Sequence, residues 1–216
     1  MSFYKELNNL STADFYECNS TSRSSKRKAT RASRELFEVE RVISRRIQQG
    51  KPKYYVKWRN FSSLQNSWEP EENLNTAALR AFENPALYMP DEIIQDARDA
   101  LACGILEQLK SRSVLPTVIP FRHDVFRYFF GGKGEKSNER GAVLLHKSDF
   151  QACNFPNNWD RVMDSMGDGL AVDFPIKFRP FLSWSPKTYL LRDGQVIPSP
   201  RYRPEKLSIS MCKIAL

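Results

Sequence analysis

The sequence is poor in the residues that usually carry enzyme or metal chemistry. Two histidines, His123 and His146, are the whole supply, and the four cysteines (Cys18, Cys103, Cys153, Cys212) lie far apart with no Cys-x-x-Cys spacing. A structural zinc site needs its nitrogen and sulfur ligands in closely spaced pairs, so no metal ligand is expected. Long apolar runs are also missing. The first residues are interrupted by Lys5, Glu6, Asp14 and Glu17, so neither a membrane span nor the core of a secretory signal is expected. Scattered thiols without such a leader point to a reducing compartment and free cysteines.

One stretch lacks acidic residues altogether. Arg23, Lys26, Arg27, Lys28, Arg31 and Arg34 fall in a short Ser/Thr-rich run and account for most of the formal net charge of +8. Such a run repels itself and has nothing to bury. Residues 1–34 are therefore read as a disordered basic arm that directs nuclear import or contacts the phosphates of DNA or RNA.

The rest of the chain is rich in aromatic residues, 12% of the sequence with four Trp and 14 Phe, which is enough to build cores. Phe37 to Ile43 is rich in strand formers, and Gln48-Gln49-Gly50-Lys51-Pro52 supplies a turn. In Tyr54-Tyr55-Val56-Lys57-Trp58 the two-residue period puts Tyr54, Val56 and Trp58 on one face. Asn60 to Asn66 is a connection, and Ser67-Trp68-Glu69 a third short strand. Asn75 then caps a short helix carrying Leu79 and Phe82, stopped before Pro85. Residues 35–84 thus form a unit of about 50 residues, near the lower size limit for a domain that folds without staples.

The order of residues in this unit resembles a known family. Phe37-Glu38-Val39-Glu40-Arg41-Val42, then Tyr54-Tyr55-Val56-Lys57-Trp58-Arg59-Asn60-Phe61, then Asn66-Ser67-Trp68-Glu69-Pro70-Glu71-Glu72-Asn73-Leu74, is similar to the chromodomains of heterochromatin-type, Polycomb and chromodomain-Y-like proteins. The resemblance implies a three-stranded antiparallel sheet with a C-terminal helix, reading methylated lysine on a histone tail. On it, Phe37, Trp58 and Phe61 match the positions of an aromatic cage, whose electron-rich ring faces attract a quaternary ammonium. Val39, Gln65, Glu69, Asn73 and Asn75 match positions along the groove where the tail adds as a strand. Trp68 reads as core. Gln65 stands where heterochromatin-type readers often carry an acid, and Asn60 where the loop usually has Gly, a position that Asn tolerates in the left-handed conformation. The implied partner is the methylated tail of histone three, lysine nine favoured over lysine twenty-seven, and the implied place is chromatin in the nucleus, with heterochromatin and gene silencing as the setting.

Residues 90–216 carry no such resemblance and are read as a second α+β domain, so the chain as a whole is of the α+β class. Ile93, Ile94, Ala97, Leu101, Ile105 and Leu109 fall at helical spacing, with Asp91 and Glu92 at the start and Lys110 and Arg112 near the end. Val125–Phe130 and Gly141–Leu145 are read as the two arms of a hairpin around Gly131–Arg140. The last 45 residues or so are read as irregular or edge structure, because Pro175, Pro180, Pro186, Pro198, Pro200 and Pro204 interrupt any ladder. This half is too short for a crotonase-like domain and lacks the Cys-rich region of a SET methyltransferase. Gly131-Gly132-Lys133-Gly134-Glu135-Lys136-Ser137 fails the phosphate-loop spacing, and Cys153 with His146 lacks a third orienting group. No enzyme and no cofactor are expected; the half is read as docking an unidentified protein. Two rival readings are a nucleic-acid binder using the first domain and the arm, and a chromatin-targeted enzyme dependent on Cys153.

Overall fold

The computed structural model describes residues 37–85 and 89–216. The arm expected over residues 1–34 lies outside them. Strands β1 (Val39–Gln48), β2 (Lys51–Trp58) and β3 (Ser67–Pro70) form a three-stranded antiparallel sheet in that order. The β1–β2 hairpin closes through Gln49 and Gly50, both at positive φ (52° and 75°), as a two-residue loop matched to strand twist requires. Asn60 adopts φ 63°, the left-handed conformation that its place in the loop asks for. Helix α1 (Thr76–Glu83) packs against β1 and is capped by Asn75, whose Oδ1 accepts the Ala78 N–H at 2.7 Å. Val42, Tyr54, Val56 and Leu74 are the centre of this small core, with Leu79, Phe82 and Trp58 packed around them.

Helix α2 (Asp91–Lys110) follows the expected periodicity, burying Ile94, Ala97, Leu101, Ile105 and Leu109. A Cβ at Gly104 would lie 3.0 Å from Ile209 Cδ1 and 3.1 Å from Ile119 Cγ2, so the glycine lets the helix approach β4 (Thr117–Pro120) and β11 (Glu205–Ala215). These strands belong to a six-stranded sheet in which five run in the order β4-β11-β8-β6-β5, with β8 (Gly169–Leu182), β6 (Val143–Leu145) and β5 (Glu135–Lys136). The sixth, β7 (Arg161–Met163), lies off that path and pairs with the start of β8, and β9 (Tyr189–Arg192) with β10 (Gln195–Pro198) forms a separate ribbon.

Two expectations are corrected. Residues 125–130 are not a hairpin arm: helix α3 spans His123–Phe130, and β6 pairs with β5 and β8 instead. Val125, Phe126, Phe129 and Phe130 are all buried, a helical spacing within a run whose aromatic and β-branched content favours strand. The proline-rich tail is regular in part: β8 runs for 14 residues beside β11, while residues 183–188 and 199–204, which hold Pro186, Pro200 and Pro204, form no strand. The β8–β11 register breaks between Ser210 and Cys212, opposite the stretch that holds Pro175. Past Phe178, β8 has no strand partner on its side away from β11 among the described residues, an edge on which Pro180 is tolerated.

The two sheets are joined by a polar contact. Arg127 of α3 donates to the carbonyls of Ile43 (2.9 Å), Val42 (3.1 Å) and Phe82 (3.2 Å), with its guanidinium 4.0 Å over the Phe82 ring. Burial lowers its pKa to about 10. Arg41 of β1 binds both carboxylate oxygens of Glu205 and lies 3.6 Å from Asp124, while Glu205 also accepts the His123 N–H at 2.7 Å.

Candidate functional site

Phe37, Trp58 and Phe61 come together at one end of the small sheet. The Phe37 ring is 5.4 Å from Phe61 and 6.4 Å from Trp58, edge-on to both, and is 42% exposed. Backbone bonds set this grouping: Val39 lies across from Trp58 in the β1–β2 register, and Arg59 N–H donates to Glu38 O at 2.9 Å. Lys57 holds the loop that carries Phe61, donating to the Phe61 carbonyl at 2.8 Å and the Trp58 carbonyl at 3.0 Å while pairing with Glu40 at 2.7 Å. Glu38–Arg59 is a second ion pair across the same strands, at 2.9 Å.

A hydrogen-bonded relay fixes the indole. Trp58 Nε1–H donates to Ser67 Oγ at 3.0 Å, Ser67 donates to Glu69, and the other Glu69 oxygen accepts from Asn73 at 3.0 Å. Glu69 is 1% exposed, so it holds its neighbours rather than facing solvent. Two other residues assigned to the groove are engaged locally: Asn75 caps α1, and Gln65 Oε1 accepts the Ser62 N–H at 2.9 Å. Val39 is half-buried against the small core. Trp68 lies on the opposite face, tilted over Tyr55 at 5.1 Å and under Arg46 at 4.0 Å. Ser67 and Lys57 belong to the motif strings themselves, but their local order gives neither a role in holding the rings.

Residues 37–84 match the model of the Chromo (CHRromatin Organisation MOdifier) domain. This segment is a chromodomain. Its relatives include Chromobox protein homolog 2 of Mus musculus, 50% identical over 50 residues, which are 23% of this chain and 10% of that protein. Heterochromatin protein 1 of Drosophila melanogaster is 46% identical over 41 residues, 19% of this chain and 20% of that protein. Chromobox protein homolog 8 of Homo sapiens is 45% identical over 49 residues, 22% of this chain and 13% of that protein. The chain therefore spans between 10% and 20% of the length of these relatives. No family model matches the half that follows the chromodomain.

Cys153 is poorly placed to act as a nucleophile. The Cys153 thiol is fully buried, and burial pushes its pKa up to about 12, so it stays protonated. His146 instead lies 3.6 Å from Glu135 at the surface. Among the described residues no three His, Cys, Asp or Glu side chains are grouped to hold a metal ion, and no helix is long and apolar enough to cross a membrane.

Proposed function

We propose that the chain is a chromatin-associated reader whose chromodomain holds a methylated lysine of a histone tail among Phe37, Trp58 and Phe61. The observation that carries this reading is the convergence of those three rings, two of them within 6.4 Å of the third, inside a segment of chromodomain sequence. An alkylated ammonium is weakly hydrated and attracted to ring faces within about 6 Å of their centroids. The tail lies as an added strand between the start of β1 and the segment around Asn73, its main chain supplying affinity. Residues 90–216 recruit or position a partner, and the working place is chromatin in the nucleus.

The test is titration of the full chain with histone-three peptides that are unmodified or trimethylated at lysine nine or lysine twenty-seven, with Trp58→Ala as the control. Binding is expected to require both the methyl groups and Trp58, with lysine nine preferred. Equal affinity for methylated and unmodified peptides in the folded protein would overturn the reading.

A further inference from the structure

A second surface, away from the three rings, combines exposed aromatics with unpaired arginines. Beyond Leu182 and Glu205 the β8–β11 ladder continues irregularly: Ser183 N–H donates to Pro204 O at 3.4 Å, and Ser185 N–H to Tyr202 O at 2.8 Å. This extension carries Trp184, which is 53% exposed. The Arg203 guanidinium lies 4.3 Å and that of Arg201 5.4 Å from the Trp184 ring centroid. A second stack, Arg46 over Trp68 at 4.0 Å, lies on the adjoining small sheet, and Asn66, just before its third strand, lines the same cavity as Arg203. The Arg46 and Arg203 charges are near enough to disfavour one another.

Among the described residues none of Arg46, Arg201 and Arg203 is ion-paired, unlike Arg41, Arg59 and Arg122. Arg46 donates to Gln48, and Arg201 uses its Nε on the Ser185 carbonyl at 2.8 Å, so its terminal nitrogens are left over. The cavity that Arg203 lines, of about 300 Å³, is also lined by Tyr202, Arg122 and Arg41 with its partner Glu205. Arg46, Arg201 and Arg203 lack counter-charges and so call for an anionic ligand, and the exposed part of the Trp184 ring calls for flat rings in the same ligand.

We infer that this ledge of Trp184, Arg201, Arg203 and Arg46 binds single-stranded RNA, a base stacking on Trp184 and phosphates contacting the arginines. A duplex hides its base faces, whereas RNA presents unstacked bases in loops and single-stranded stretches, and its recognition uses aromatic rings and arginine planes. An acidic peptide would match the charge and leave the indole unused.

The test measures binding of the full chain to a labelled single-stranded RNA of about twelve nucleotides, a length within the range one such site covers. Competitors are the same sequence as single-stranded DNA, duplex DNA and polyglutamate. Trp184→Ala is expected to weaken RNA binding about tenfold with an unchanged salt dependence, and Trp184→Phe to restore most of it. Arg203→Gln is expected to weaken binding and lower the slope of log affinity against log salt by about one. Thermal unfolding identifies variants that fail to fold, and Arg203→Gln, which keeps the indole, stands independently of Trp184→Ala. Unchanged RNA affinity in folded Trp184→Ala and Arg203→Gln overturns the proposal, as does tighter binding of duplex DNA, single-stranded DNA or polyglutamate than of RNA. No methylated peptide enters this experiment, so its failure is separate from failure of the lysine-reading function.

Discussion

At the scale of single residues, the relay behind Trp58 makes a prediction about precision rather than contact. Ser67→Ala removes the acceptor of the indole N–H and strands Glu69, a buried carboxylate whose other contact is Asn73. Methyl-lysine affinity is expected to fall several-fold with a stability loss of about 1–3 kcal/mol, and Ser67→Thr, which keeps the hydroxyl, to recover both. Calorimetric titration beside chemical denaturation checks this; a Thr variant as impaired as Ala would show that the hydroxyl is not what matters. Gln65 allows a second test. Its carboxamide oxygen is held on Ser62 and its side chain is uncharged. Gln65→Glu is expected to raise affinity for monomethyl-lysine, whose N–H groups seek an anionic acceptor, more than for the trimethyl form, read by comparing the two peptides. The ring positions were legible in the sequence because the motif string is local and ordered. The relay was not, because the bond from Trp58 to Ser67 spans nine residues and depends on strand pairing.

At the scale of elements, α3 shows how a local reading fails. Its run Val125-Phe126-Arg127-Tyr128-Phe129-Phe130 has strand composition, yet a strand would put Val125 and Phe129 on the face opposite Phe126 and Phe130, and only a helix buries all four while leaving Arg127 to reach the neighbouring sheet. Tertiary packing overrode propensity. Arg127 is then the central tether of this element, bonded to the carbonyls of Val42, Ile43 and Phe82. Arg127→Ala is expected to destabilise the protein by about 2–4 kcal/mol, and Arg127→Lys to restore only part, because one ammonium cannot span carbonyls that a planar fork reaches together. The shift in urea midpoint measures both. Helix α2 was readable by contrast, since its apolar stripe, acidic start and basic end all lie within its own twenty residues.

At the scale of the whole molecule, the ions between the two sheets set an acid response. Burial lowers the pKa of His123 below its ordinary 6.5, against the pull of the Glu205 carboxylate. Burial also works against the Asp124 carboxylate, but the hydrogen bond from Arg122 and the charges of Arg41, Arg122 and Arg127 outweigh it and hold the group below 3.8. In both cases the unfolded chain binds the proton more readily, so stability is present above the unfolded value and declines as pH falls through the folded one. Melting temperature is expected to begin falling below about pH 6.5 and to fall again below about pH 4, and His123→Gln to remove the first decline. The sequence by itself determined the chromodomain, its ring positions and helix α2, because each is written in short-range order: period, cap and motif spacing. Only the tertiary structure decided the helix at 123–130, the long paired strand through Pro175 and Pro180, and the Arg41 and Arg127 contacts between the sheets. Those depend on which distant groups are brought together, since Arg41 meets Glu205 across 164 residues, and no local pattern specifies a partner that far away.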